Sequence, residues 1–238
     1  MARTSDFLEA QGQSITFEDE VEMKAYFEQK DFCELAREQA KLKNDHGERY
    51  SLRFYLLKLP TMVRFQFPLT VMFAETPDFA LTAVGLDVGI EVTQSTEESL
   101  AKDKSILERS KGIYDLIEFG PLGHALKEKG VPLSSEPFYG DQDIELLTDV
   151  CKAALVRKLE RLNAGHYSLH RSNQLLLLDT YGLPIQDADD KRERFLRMLS
   201  AGLMEACSQV RSARRFDNVL LLKNGYLYID LLGRPRVL

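Results

Sequence analysis

The sequence predicts a mixed α/β fold, a central β-sheet flanked by helices on its faces, and three observations carry that expectation. Residues 77–94, PDFALTAVGLDVGIEVTQ, alternate Leu86, Val88, Ile90 and Val92 with Asp87, Gly89, Glu91 and Thr93, the period-two pattern of a strand with one apolar face. Two later segments, about 143–163 and about 189–211, place apolar residues at helical spacing. The apolar run Gln174–Leu178 has the length and flanks of a buried strand, and Val219–Leu222 with Tyr226–Leu231 reads as a strand hairpin.

Residues 1–15 read as an arm, and Thr16 reads as the cap of a first, mainly polar helix reaching about Asn44. Asn44-Asp45-His46-Gly47 reads as its stop, because Asn and Gly tolerate the left-handed backbone that closes a helix. From Tyr50 to Phe73 neither period fits cleanly, and the β-branched and aromatic residues around Pro68 suggest a strand near the end of that stretch. Phe79–Ala83 is a short strand joined to the alternating one by a tight turn at Val84-Gly85. A charged helical stretch covers about 97–110. Residues 111–141 then hold five of the 14 glycines and three of the 8 prolines, an irregular insertion with a short helix expected at 122–129. After the helix at 143–163 and the strand at 174–178, Tyr181-Gly182-Leu183-Pro184 turns the chain into the next helix. A strand hairpin closes it, Val219–Leu222 and Tyr226–Leu231 around Lys223-Asn224-Gly225.

At 238 residues, 44% hydrophobic and 29% charged, the chain is expected to form a single domain over 1–238, with a core at 16–180 extended by a helix and strand hairpin at 189–238. A net charge of −6 argues against a wholly cationic nucleic-acid coat. The charge is uneven: residues 191–238 carry ten Lys/Arg against four Asp/Glu, leaving 21 against 33 in the first 190. Cys33, Cys151 and Cys207 are odd in number and lack a C-x-x-C pair, so neither a zinc knuckle nor a disulfide framework is expected, and the chain reads as a reduced, cytoplasmic protein. No window has the roughly 18 apolar residues of a membrane helix.

The candidate chemistry lies on the first hairpin. Asp78 and Glu91 come from its two arms, and Thr93 shares a strand face with Glu91. Two carboxylates converging from adjacent strands make a hard-cation site, suited to Mg²⁺ (or Mn²⁺) and to water-based attack on a phosphodiester. The structural alternative is that Asp78 caps a turn and Glu91 faces solvent on a half-exposed strand.

Asp78 preceded by Pro77, with an acidic residue 13 positions later in a strand reading GIEVTQ, resembles the PD-(D/E)XK nuclease superfamily, whose fold is restriction-endonuclease-like. The segments from about 18 to 180 match that family's order of a helix, a three-stranded antiparallel portion carrying the motif, a helix and a further strand. The resemblance implies a metal-dependent phosphodiesterase with Asp78 and Glu91 as metal ligands. It also exposes a departure, because the motif lysine two residues after Glu91 is Thr93 here. Losing such a charged stabiliser costs roughly 3 to 4 kcal/mol of barrier, by analogy with an oxyanion donor.

Lys158 is the candidate replacement. Leu147, Cys151, Ala154, Leu155 and Leu162 define one apolar stripe of their helix, and Lys158 falls near its centre, with Lys152 at its edge as the alternate. An ammonium packed on a sheet needs a partner, which two sheet carboxylates would supply; some members of the superfamily carry their lysine on a neighbouring helix. The alternative is that Lys158 snorkels to solvent near the helix end. Gln94 follows Thr93 but belongs to the opposite strand face unless the strand bulges or ends there. Glu75 is either an accessory ligand at the strand start or an exposed residue. Glu28, on the first helix's best apolar stripe, is the candidate for the acidic helix residue that some family members point at the metal. Asp87 is expected to be solvated, and His166 and His170 to be surface loop residues.

Arg211, Arg214 and Arg215 cluster before a strand and are candidate phosphate contacts, with Tyr226 and Tyr228 nearby. The expectation is a nuclease acting on DNA, or on RNA, with a homodimer or protein partner completing a positive cleft. The rival is a catalytically inactive module of the same fold that binds nucleic acid or protein.

Overall fold

The computed structural model describes residues 12–28, 45–95, 141–179, 189–210, 214–223 and 226–238. These form an α/β protein with one mixed, open eight-stranded sheet and four helices. The order is β1 (Ser14–Phe17), α1 (Glu20–Glu28), α2 (Asp45–Met62), β2 (Gln66–Phe73), β3 (Phe79–Val84), β4 (Leu86–Ser95), α3 (Asp141–Asn163), β5 (Ser172–Asp179), α4 (Asp189–Gln209), β6 (Asn218–Lys223), β7 (Tyr226–Ile229) and β8 (Arg236–Val237).

The strands lie side by side in chain order. β1 to β4 run antiparallel, β4, β5 and β6 are parallel, and β7 and β8 return antiparallel. Two successive parallel crossovers advancing the same way, each right-handed, put their helices on one face. α3 and α4 accordingly share a core with Leu175, Leu177, Val219 and Leu221, while α1 and α2 cover the other face over Val88, Ile90, Leu176 and Leu220. Helices on both sides explain why β5 and β6 are unbroken leucine-rich runs. β1 to β3 alternate instead: Phe17, Leu69, Val71, Phe79 and Leu81 are buried, and the opposite face carries threonines, with Thr16 and Thr70 sharing a hydroxyl hydrogen bond of 2.9 Å.

The strand hairpins, the two later helices and the apolar strands fall where the sequence places them, and β8 adds a short edge strand. The hairpin pairs Ala83 with Leu86 around Val84-Gly85, and Gly85 adopts a φ of +86° that L side chains rarely take. Two expectations need correction. Thr16 is not a helix cap but lies in β1; Asp19 caps α1, its Oδ1 accepting the Glu22 amide at 2.8 Å while Glu22 reaches back to the Glu18 amide at 2.7 Å. Residues 45–47 open α2 rather than stopping a helix, and most of the ambiguous stretch from Tyr50 is that helix, with Leu52, Tyr55, Leu56 and Leu59 buried on the sheet. The Asp87 side chain is solvent-exposed as expected and is also bonded, accepting the Arg171 amide at 2.9 Å and lying 2.7 Å from His170 Nδ1. The helix expected at 97–110, most of the insertion at 111–141, Cys33 and Arg211 lie outside the described residues. No helix among the described residues is long and apolar enough to cross a membrane.

Candidate functional site

The register of the β3–β4 hairpin builds the site. Phe79 pairs with Ile90, so the preceding residue, Asp78, stands directly across from Glu91 on the face covered by α3. The turn before β3 is closed by the Ala74 amide donating to the Asp78 carbonyl at 2.9 Å, and by the Ser168 amide reaching the Thr76 carbonyl at 3.1 Å. The Asp78 side chain then acts as a cap on the sheet, its Oδ2 accepting the Val92 amide at 2.6 Å.

Glu91 is 3% exposed, and its Oε1 accepts from Lys158 Nζ and, at 3.1 Å, from the Tyr167 hydroxyl. Lys158 thus takes the paired alternative: the stripe residues Leu147, Cys151, Ala154, Leu155 and Leu162 are all buried, and they carry the amine inward to the sheet carboxylate. Glu91 Oε2 is buried with no hydrogen-bond partner among the described residues. Lys152 goes elsewhere, to Glu205 of α4 at 2.9 Å.

Burial, followed by the charges of Glu91 and Glu48, pushes the Asp78 carboxyl up to about 8 against the opposing pull of the Val92 amide and Lys158. The Asp78 carboxyl therefore holds its proton well above the usual carboxylate range. Burial and the Glu91 charge also raise the Tyr167 hydroxyl, which stays a proton donor. Close packing underlies the arrangement: a Cβ on Gly89 would lie 2.6 Å from His170 Cδ2 and 2.9 Å from Pro77 Cγ, so the chain beside Asp78 depends on the missing side chain.

Among the remaining candidates, Thr93 is half-buried on the Glu91 face, and Gln94 pairs in the ladder with Leu178. Glu75 is exposed. Glu28 is exposed at the end of α1, where its charge acts on Lys24. The acidic helix residue whose field reaches Asp78 is Glu48 of α2, which sequence reasoning missed because its segment read as the end of a helix. Tyr167 was missed too, and a single tyrosine two residues past Gly165 gave no signal. Tyr228 is core, packed edge-on to Phe195 with ring centres 5.6 Å apart, and Tyr226 lies under Arg192. Arg214 and Arg215 are exposed.

Asp78 and Glu91 suit a hard divalent cation. Mg²⁺ is commonly held by one or two carboxylates with its remaining positions filled by water. Glu91 Oε2 is a buried acceptor without a hydrogen-bond partner among the described residues, and the Asp78 carboxyl is pushed up by burial and by the charges of Glu91 and Glu48. No group of three or more His, Cys, Asp and Glu residues is arranged to hold a metal among the described residues. Comparison with protein-family models, curated proteins and solved structures finds no match to this chain.

Proposed function

We propose that this chain is a Mg²⁺- or Mn²⁺-dependent phosphodiesterase acting on nucleic acid, with DNA as the first substrate to test. The observation that carries the reading is the reach of Lys158 from α3 to Glu91, opposite Asp78. It supplies on a helix the positive charge that Thr93 cannot supply on the strand, as the resemblance to PD-(D/E)XK nucleases requires. The bound cation would provide Lewis acidity and lower the pKa of water. Lys158 and Tyr167 fix the orientation of Glu91, leaving Oε2 as its available ligand atom. Asp78 must give up its proton to become the second ligand. Lys158 would also offset charge accumulating on an attacked phosphate.

One observation favours the rival reading, an inactive nucleic-acid-binding or protein-binding module: Glu91 is already sealed and neutralised by Lys158. The deciding experiment incubates the protein with plasmid, single-stranded DNA and RNA in Mg²⁺, Mn²⁺ or chelator, beside Asp78→Asn and Glu91→Gln. Metal-dependent cleavage lost in both variants is the expected result. No cleavage by folded wild-type protein, or cleavage unchanged in the variants, overturns the assignment.

A further inference from the structure

We infer that Arg157, Arg161, Arg214 and Arg215 form one exposed cationic surface that binds the phosphate backbone of nucleic acid beside the Asp78–Glu91 site. The inference deepens the phosphodiesterase reading by saying where its polyanion lies, and it rests on that reading for its biological sense.

The four residues are distant in sequence but tied together at the end of α3. Arg157 and Arg161 are one helical turn apart, about 6 Å along the helix, and so share a face. Asn163 clamps the segment before β6: its Nδ2 donates to the Arg214 carbonyl at 3.0 Å, and its Oδ1 accepts the Arg214 amide at 3.1 Å. Phe216 packs on Tyr167 with ring centres 6.3 Å apart, and the Arg161 guanidinium sits 5.5 Å from the centre of the same ring. Tyr167 in turn donates to Glu91. One aromatic ring therefore links the arginine surface to the candidate ligand.

All four arginines are exposed, and no salt bridge holds any of them among the described residues. Several cations elsewhere are matched, among them Lys24 to Glu20, Lys152 to Glu205 and Arg236 to Asp230. The nearby carboxylates do not cancel the patch: Glu160 is one exposed acid between Arg157 and Arg161, and Asp217 is engaged with the Asn173 amide at 2.6 Å. The helix dipole accounts for a cation in the last turn of α3, hence for Arg161, but not for Arg214 and Arg215. Guanidinium is also the side chain whose planar fork suits phosphate.

The test measures binding of a labelled 20-base-pair DNA duplex, and of one of its strands alone, by fluorescence anisotropy in chelator over a salt series. The proteins are wild type, Arg157→Gln/Arg161→Gln/Arg214→Gln/Arg215→Gln, the triple variant that keeps Arg161 on Tyr167, Glu91→Gln, and a control Lys24→Gln/Arg236→Gln. Each phosphate contact contributes about 0.9 to the slope of log K against log salt for duplex and about 0.7 for a single strand. The quadruple variant should lose three to four from the duplex slope and at least about tenfold in affinity at low salt, the triple variant about a quarter less, and the control nothing. Which probe wild type binds more tightly distinguishes duplex from single-strand tracking. Wild type binding neither probe, or a quadruple variant whose slope matches wild type, overturns the inference. The two proposals fail separately: a reduced slope without cleavage by wild type leaves the surface and removes the nuclease, whereas cleavage with an unchanged slope does the reverse.

Discussion

Asp78 makes the stability of the metal-free protein depend on pH in an unusual direction. Burial and the charges of Glu91 and Glu48 raise its carboxyl from 3.8 to about 8. Between those values the folded chain holds a proton that the unfolded chain has released, so stability falls as pH rises, by up to about 1.4 kcal/mol per pH unit. The stabilisation is complete below about pH 4 and is lost as pH rises through about 8, opposite to the ordinary salt-bridged aspartate. Asp78→Asn removes the titration and leaves a side-chain oxygen to accept the Val92 amide. Subtracting wild type from variant cancels the groups common to both, and the stability difference should shift in favour of the variant by about 3 kcal/mol between pH 5 and 7. Urea unfolding in chelator at pH 5, 6, 7 and 8 measures it. A stability difference that stays constant across that range refutes the reasoning, because Asp78 would then titrate alike in both states.

Three further substitutions probe the same constellation. Lys158→Met leaves the buried Glu91 carboxylate without its cation and should cost about 3 to 5 kcal/mol in urea unfolding, most of it recovered in Lys158→Met/Glu91→Leu; absence of recovery would mean that Lys158 stabilises by packing. Tyr167→Phe deletes one hydrogen bond to a charged oxygen and should cost about 1.5 to 3 kcal/mol by the same measurement, whereas a loss below about 0.5 would show that Lys158 alone holds Glu91. Gly89→Ala drives a methyl into His170 and Pro77 and should cost about 1 to 3 kcal/mol in thermal or urea unfolding, with wild-type stability indicating that the neighbouring loop yields freely.

The legible parts of the fold are those where one energetic term dominates. Alternation in β4 is dictated by a sheet with one wholly apolar face there, and the leucine runs of β5 and β6 by helices on both faces. Lys158 was half legible for the same reason inverted: a charge in the middle of an apolar stripe is costly to leave unpaired, so its position pointed to a carboxylate on the sheet beneath or to snorkelling into solvent, and the structure takes the first. The start of the chain was not legible because its signals are local and degenerate. Thr16 suits a helix cap or an antiparallel edge strand, and only pairing with Thr70, more than fifty residues away, decides between them. The Asn-Asp-His-Gly segment likewise suits either end of a helix.

The same distinction applies within the site. Asp78 and Glu91 could be paired from the sequence because a two-residue turn fixes the register, and register fixes which side chains face one another. Glu48 and Tyr167 could not, since they arrive from α2 and from the segment after α3, and their positions depend on how those elements pack on the sheet. Yet these two, with Lys158, act on the Asp78–Glu91 pair alongside burial. Glu48 helps to keep Asp78 protonated, while Tyr167 and Lys158 occupy one oxygen of Glu91 and leave the other without a partner. A pair of ordinary surface carboxylates would stay ionised and solvated at no cost. Here burial raises the Asp78 carboxyl beside a Glu91 oxygen without a partner among the described residues, and the divalent cation of the proposed function would act on both, favouring loss of the Asp78 proton and offering Glu91 Oε2 a partner.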